Sequence, residues 1–364
     1  TLFSVLASRI HSNCPRATLL TAFTLCFTPI NGMFSVLVIR DVLTAWLTVF
    51  MAIELFFLLL RDRSDTRLIP LIRVILLAAL LLVLRPENLV LYAALIFILH
   101  WFCGRDTKQH ATVFAINAAG LILAFIALPL LAGVKIERII LLTASTQSIK
   151  YQNISLLSPL RQILKSMDDQ DLKRVPWEKF EPILSREHLM GAAPVLNPGL
   201  ILSAWKKDST WDEEKTFQSA AWGLISSSPG AFLKNRWDMM VATAGLSPET
   251  YYFHRHEQTS PRASQLNFMH SWTQQFFDSR PSWTKTTQSL LPAFLLMIVA
   301  LGLSRRFPAT AMTTLLMLSR LPGIVFAAPA PHFSYGYSFF LFAFFIPCLW
   351  LVEQRAQSGQ MVAD

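Results

Sequence analysis

The sequence predicts a mainly α-helical membrane protein: a bundle of about nine transmembrane helices, with a helical domain inserted before the last three. Two observations predict this class. Of the 364 residues, 53% are hydrophobic and only 15% are charged, whereas about a quarter of the residues of an ordinary soluble domain are charged. In addition, residues 134–284 hold most of the Asp, Glu, Lys and Trp, and both flanks are nearly continuous apolar runs.

The apolar runs set the predicted domain boundaries, because a helix of about 17 to 20 apolar residues can cross the hydrocarbon core of a bilayer. N-terminal transmembrane helices occupy 1–133, the insert 134–284, C-terminal transmembrane helices 285–352, and a cytoplasmic tail 353–364. The predicted spans are 1–10, 17–30, 41–60, 68–84, 88–103, 111–133, 285–304, 308–327 and 333–352.

Basic residues are divided unequally between the two alternating sets of connectors. One set holds only Arg40 and Arg85, and the other holds ten Lys and Arg. Since cytoplasmic loops are enriched in Lys and Arg, the basic set is predicted to be cytoplasmic and the insert to lie on the outer side. The net charge of +9 is thereby explained by topology. No nucleic-acid-binding module is present, so nucleic acid is not a predicted partner.

Metal-binding motifs are weak. The four cysteines lie outside the insert and show no C-x-x-C spacing, so neither a zinc site nor a redox pair is predicted. Asp169-Gln170-Asp171 matches the D-x-D of soluble sugar transferases, but its polar surroundings favour a solvated turn or helix start. His254 and His256 have no third ligand nearby in the sequence.

Polar residues at the predicted outer ends of the spans form the candidate site. Arg40-Asp41 begins the third span, and Arg85, Glu87 and Asn88 lie in the RPEN turn between the fourth and fifth. The planar guanidinium of an arginine can bind a lipid phosphate through two parallel hydrogen bonds. Asp41 or Glu87 is the candidate catalytic carboxylate. Alternatively, that carboxylate binds a divalent metal. The structural alternatives are a helix N-cap at Asp41 and a polar turn with an Arg85–Glu87 ion pair.

The last two spans add substrate-binding candidates on the same predicted side. Arg320 comes late in the eighth span, followed by a Pro-Gly pair, and His332, Tyr335 and Tyr337 open the ninth. The alternatives are snorkelling of Arg320 toward the headgroups and an aromatic belt at the interface. The functional interpretation places all these residues around one cavity at the outer leaflet.

The insert is predicted to be mostly helical, because its apolar residues recur at i, i+3 and i+4. Trp222, Ile225, Phe232 and Trp237 are predicted to pack a small core. A domain of this kind would form a recognition cap over the cavity.

Several of these segments carry a resemblance to a known family. They are NGMFSVLVIRDVL (31–43), LLVLRPENLVLY (81–92), LSPLRQIL (157–164), WGLISSSPGAFLKNRWD (222–238) and PHFSYGYSFF (331–340). In this order the chain resembles the GT-C superfamily of multi-pass sugar transferases, in particular bacterial relatives of the protein O-mannosyltransferase-like enzymes. Where such relatives carry an arginine before the final tyrosine pair, this chain has Phe333-Ser334.

The resemblance implies an inverting glycosyltransferase at the outer leaflet of the bacterial inner membrane, with the insert in the periplasm. Its donor would be a polyprenyl-phosphate-linked sugar, and its acceptor a cell-envelope glycan, lipid or protein. Arg40, Arg85 and Arg320 would neutralise the leaving phosphate, and Asp41 or Glu87 would take the acceptor proton. The alternatives are a transporter or flippase of lipid-linked sugars and an O-antigen ligase or polymerase.

The start of the chain differs from that family. The relatives place their acceptor-activating carboxylate in the first outer loop, whereas this chain opens TLFSVLASRI, without a methionine and inside an apolar helix. We expect that loop, and with it the principal general base, to lie upstream of Thr1.

Overall fold

The computed structural model consists of α-helices, and the residues it describes contain no strand, which confirms the predicted helical class. Predicted spans 1–10 and 17–30 lie outside the described residues, as do residues 123–133 of the sixth span. The described residues are 40–60, 68–84, 88–103, 107–122, 146–193, 195–196, 204–247, 289–327 and 333–358.

The helices on the N-terminal side of the insert follow the predicted spans. They are α1 (Arg40–Leu59), α2 (Leu68–Leu84), α3 (Leu89–Cys103) and α4 (Thr107–Ile122). Helix α2 ends two residues before Pro86, whose ring disfavours helical backbone at the residue preceding it. The apolar runs therefore locate these helices, and the polar and proline residues mark their ends.

The helices after the insert are α11 (Leu291–Gly302), α12 (Pro308–Leu318), α13 (Leu321–Ala327) and α14 (Phe333–Gln357), numbered after six helices of the insert. The predicted eighth span is interrupted by a turn at Ser319 and Arg320, which divides it into α12 and α13. Helix α14 continues five residues beyond the predicted span end at 352, so the predicted tail begins inside a helix.

Two helical stretches, Pro308–Phe326 and Tyr335–Gln357, are long and apolar enough to cross a membrane, and the other apolar helices of the described part are shorter. The outward faces of the bundle are also apolar. On α11, Leu295, Ile298 and Val299 are each at least half exposed. Contiguous apolar surface of this kind marks a contact with membrane or protein. The described helices thus favour membrane association, and the nine-span arrangement stays a prediction.

Helix α1 lies at the centre of the bundle and packs against α2, α12 and α14. One apolar core joins α1 to α11, α12 and α14 around Phe56 and Phe342, and a second joins α1 to α2 and α3 around Met51 and Ile75. The bundle has two ends, which we name after a buried residue at each. At the Arg320 end, Arg320 lies near the last residues of α2 and the first turns of α14; at the Glu353 end, Glu353 of α14 contacts the start of α12.

The helices of the insert are α5 (Thr146–Ser166), α6 (Asp169–Lys173), α7 (Trp177–Phe180), α8 (Arg186–Met190), α9 (Trp211–Ser227) and α10 (Pro229–Thr243). The Asp169-Gln170-Asp171 segment forms the exposed first turn of α6, and the Asp168 side chain caps it by accepting from the backbone N–H groups of Gln170 and Asp171. This confirms the predicted solvated helix start.

The core of the insert differs from the predicted one. It is built on Leu160, Phe180 and Phe217, which are fully buried, together with Ile225. Trp222 and Trp237 were predicted to be core residues, but they are 48% and 62% exposed. On α9, Phe217, Ala221 and Ile225 follow each other at four-residue spacing and occupy the buried face, so the next residue, Trp222, points about 100° away from it.

The insert is packed onto the Arg320 end of the bundle. Helix α10 contacts α13 and α14, and the Phe232 and Phe326 rings stack with centroids 6.4 Å apart. The Ala244 carbonyl accepts a 2.8 Å hydrogen bond from the Leu290 N–H, just before α11. The insert therefore packs directly on the bundle at this end, while its location on the outer side of a membrane stays a prediction.

Candidate functional site

Arg320 lies in the turn between α12 and α13 and is only 3% exposed. Its Nε donates a 2.8 Å hydrogen bond to Asn88 Oδ1, and its Nη1 donates to Ser338 Oγ at 2.5 Å. The guanidinium is therefore directed into the protein, toward the first residues of α3 and α14, and the snorkelling interpretation is wrong. Ionisable groups placed this way at membrane depth are commonly functional.

Asn88 links Arg320 to the end of α2. It is fully buried, and its Nδ2 donates a 2.9 Å hydrogen bond to the Leu81 carbonyl. That carbonyl is among the last four of α2, which have no partner within their own helix. The Asn88 amide N–H thus satisfies a carbonyl at the end of α2, and the Asn88 amide oxygen orients the Arg320 guanidinium. Asn88 is a positioning residue for Arg320.

The first turns of α14 complete the cluster. Tyr335 is 7% exposed, and Tyr337 and Ser338 are fully buried. An aromatic belt faces lipid headgroups, so the burial of both tyrosines contradicts that alternative. Gly336 permits this packing, because a Cβ at that position would collide with the Leu290 side chain. We name Asn88, Arg320 and Ser338 the Arg320 cluster, with Tyr335 and Tyr337 beside it on α14.

The remaining predicted site residues are not placed by the structure. Arg85, Glu87 and His332 lie outside the described residues, as do His254 and His256 of the insert. Arg40 and Asp41 form the start of α1, but their side chains also lie outside the described part. The catalytic assignments to Asp41 and Glu87 therefore stay predictions, whereas Asn88 and Arg320 are brought together as predicted.

Two buried arginines of the insert provide a contrast with Arg320. Arg161 donates to the carbonyls of Leu189, Gly191 and Ala193, at the end of α8. Arg236 donates to the Ser155 carbonyl, and burial lowers its pKa to about 10. These described bonds join backbone segments to each other. The described bonds of Arg320 go instead to the side chains of Ser338 in α14 and of Asn88, the residue preceding α3.

A second buried ionic group, at the other end of the bundle, was missed by the sequence reasoning. Glu353 of α14 is 1% exposed, and its carboxylate accepts from the backbone N–H groups of Ala309 and Thr310 and from the Thr310 hydroxyl. Helix α12 begins after Phe307, which offers no side-chain cap. Glu353 therefore caps α12 from a neighbouring helix, in the position where a negative charge is favourable.

The described cavities lie at the Glu353 end. One, of about 140 Å³, lies between α1, α2, α3 and α4, and includes Leu58, Leu71 and Gln109 in its walls. Another, of about 660 Å³, is open to the surface between α1, α3, α12 and α14, and includes Trp101 and Glu353. Neither cavity is lined by a residue of the Arg320 cluster, so neither is the predicted outer cavity.

Within the described ranges, no group of three or more His, Cys, Asp and Glu side chains is placed to hold a metal ion. The nearest arrangement is His100 and His110, whose rings stack with their Nδ1 atoms 2.8 Å apart. Two imidazoles in this arrangement supply fewer than the three protein ligands of a catalytic zinc site.

Comparisons with known proteins add no assignment: no protein family, curated protein or solved structure matches the chain. The chemistry available at the site is therefore that of a fixed guanidinium. Arginine presents planar N–H donors that match phosphate oxygens, and it remains charged in a low-dielectric setting.

Proposed function

We propose that this chain is a polytopic membrane glycosyltransferase that takes its sugar from a polyprenyl phosphate at the outer leaflet of the bacterial inner membrane. The observation that carries the proposal is the meeting of three resemblance segments, distant in sequence, at the Arg320 end. Segment 81–92 supplies Asn88, segment 331–340 supplies Ser338, and segment 222–238 forms helices of the insert that pack there.

In the proposed reaction, Arg320 binds the phosphate of the donor and stabilises the negative charge that it gains as the glycosidic bond breaks. Preorganised charge of this kind acts without reorganisation at the moment of reaction. Asn88 and Ser338 hold the guanidinium in place before the donor arrives. An acceptor hydroxyl attacks the anomeric carbon from the opposite face, and a carboxylate, with Asp41 and Glu87 as candidates, takes its proton.

The first test measures recognition of the phosphate. The purified full chain is titrated with a long-chain polyprenyl phosphate and, separately, with the polyprenol of the same length that lacks the phosphate. We expect Arg320→Lys to weaken binding of the phosphate form by about tenfold, since lysine loses the planar fork, and to leave polyprenol binding unchanged. Arg305→Lys is the matched control, because Arg305 is exposed at the other end of the bundle.

The second test separates transfer from transport. Proteoliposomes containing the chain are supplied with polyprenyl-phosphate hexoses and pentoses and with periplasmic extract as the acceptor source, and released polyprenyl phosphate is measured. A transferase releases polyprenyl phosphate, and Arg320→Ala abolishes the release. Movement of the intact lipid-linked sugar across the bilayer without release would instead show a transporter. Equal release from the Arg320→Ala variant would remove Arg320 from the site.

A further inference from the structure

The junction between the insert and the bundle exposes large apolar side chains. Trp222 of α9 is 48% exposed, Leu233 and Trp237 of α10 are 58% and 62% exposed, and Phe326 of α13 is 56% exposed. We name these four residues, together with the partly buried Phe232, the aromatic edge. Tryptophan is usually well buried in soluble domains, and the same insert buries Trp205 to 3%.

The aromatic edge is continuous with a helical stretch, α12 and α13 together, that is long enough to cross a membrane. Phe326 is the last residue of the apolar stretch Pro308–Phe326. Its ring stacks on Phe232, and Phe232 in turn lies 6.4 Å, centroid to centroid, from Trp222. A row of three rings therefore leads from the end of that stretch to the surface of the insert. If the stretch spans a bilayer, its terminal ring lies at the membrane surface, and the row lies at headgroup depth.

Helix α10 also exposes large apolar side chains on the side that faces away from the protein. Asn235, Arg236 and Met239 are buried against the rest of the protein, while Leu233 and Trp237 lie four residues apart on the opposite, exposed face. An exposed Lys234–Asp238 pair lies at the edge of that face, with Nζ and Oδ2 2.6 Å apart. Tryptophan, with an apolar ring and an N–H donor, is enriched at the headgroup level of membranes.

We infer that the insert is a membrane-surface domain whose aromatic edge is embedded among the lipids of the outer leaflet, rather than a cap held in the aqueous phase. The occupant of this surface is the lipid bilayer itself. The inference rests on the membrane location in the proposed function, and not on sugar transfer. It also fixes the position of the insert along the membrane normal relative to the Arg320 cluster, because α10 contacts both α13 and α14.

The test uses tryptophan quenching by lipids brominated close to the headgroup. The full chain is reconstituted in such vesicles, and the double variant Trp222→Phe/Trp237→Phe is compared with the matched double variant Trp177→Phe/Trp211→Phe. The control tryptophans are partly exposed on α7 and α9, and Lys215 lies over the Trp211 ring. All variants keep an aromatic ring at each position.

We expect the quenched share of the emission to fall in the Trp222/Trp237 variant, by at most the share of two among ten tryptophans, and to rise slightly in the control, where two unquenched emitters are removed. An unchanged quenched share in the Trp222/Trp237 variant would overturn the inference, since the two rings would then face water or another protein. Quenching does not depend on turnover. A failure of sugar transfer with quenching intact would therefore count against the proposed function alone.

Discussion

The two ends of the helix bundle bury ionic groups of opposite sign, and their described partners differ. The Glu353 carboxylate accepts from three donors at the N-terminus of α12, where the helix dipole offsets a negative charge. The described bonds of Arg320 go to neutral side-chain oxygens of Asn88 and Ser338, which orient the guanidinium. The comparison teaches that burial alone does not identify a functional ion: Glu353 caps a neighbouring helix through backbone N–H groups, whereas the described partners of Arg320 are side chains, and we propose that it binds the donor phosphate.

The largest effect is expected from breaking the Glu353 end. Glu353→Ala should lower the free energy of unfolding by about 3 kcal/mol, because it leaves buried donors of α12 without a charged acceptor. Glu353→Gln keeps an amide oxygen and should lose about half as much. Denaturant unfolding in detergent, followed by circular dichroism, measures both losses. Affinity for polyprenyl phosphate should remain unchanged in Glu353→Gln, and a large loss of affinity there would contradict the distinction between the two ends.

A smaller effect is expected where α14 enters the Arg320 end. Gly336→Ala should cost about 2 kcal/mol of unfolding free energy, a typical cost of overpacking, because the added Cβ collides with Leu290, which is 2% exposed. Leu290→Ala removes the colliding atoms. The double variant should therefore lose less stability than the sum of the two single variants, and strict additivity would show that the collision is absent.

A single substitution can add a carboxylate to the Arg320 cluster. Asn88→Asp places a carboxylate beside the guanidinium and should weaken polyprenyl phosphate binding about tenfold, or about 1.4 kcal/mol, because the new charge competes with the phosphate. Ser338→Ala removes the other neutral partner without adding charge and should weaken binding less. Titration with polyprenyl phosphate in detergent distinguishes the two. Tighter or equal binding by Asn88→Asp would show that the charge of Arg320 is not what attracts the ligand.

Much of the helix layout could be predicted from the sequence, because a membrane helix is recognisable from its own residues. The predicted span 68–84 coincides with α2, since leucine-rich segments between polar residues have few other stable structures in lipid. Arg320 and Asn88 were also predictable, because polar groups beside apolar runs are conspicuous. The predicted topology placed Arg320 and Asn88 on the same side. The contribution of Ser338 was not predicted, because a serine in the middle of an aromatic-rich helix does not stand out in the sequence.

The errors came from interactions that leave no local trace in the sequence. Glu353 was assigned to the predicted tail because the apolar run ends at residue 352. Its partners belong to Ala309 and Thr310, more than 40 residues away in the chain, so the sequence around Glu353 does not indicate its burial. In the insert, the positions of the helices were predictable, but the buried face of α9 was not. Ala220 and Ala221 are buried there while the larger Trp222 is exposed, so hydrophobicity ranked the wrong residue as core.

The smallest effect is expected from an exposed counterpart of Glu353. Glu213 lies in the first turn of α9, in a capping box with Thr210. The Lys206 side chain, with Nζ 2.6 Å from Oε1, and the backbone N–H of Thr210 hold the pKa of Glu213 below its ordinary value of 4.5. A carboxyl whose pKa is lowered by folding contributes stability above its unfolded pKa, and this contribution disappears as the pH falls through the folded pKa.

Glu213→Gln should therefore unfold at slightly lower denaturant than the unchanged chain at neutral pH, and the difference should shrink as the pH falls below the ordinary range of glutamate. High salt should reduce the difference as well, because solvent screens an exposed ion pair, while the loss in Glu353→Gln should persist in salt. If both variants responded equally to salt, burial would not be what separates the two carboxylates, and the structural role assigned to Glu353 would lose its physical basis.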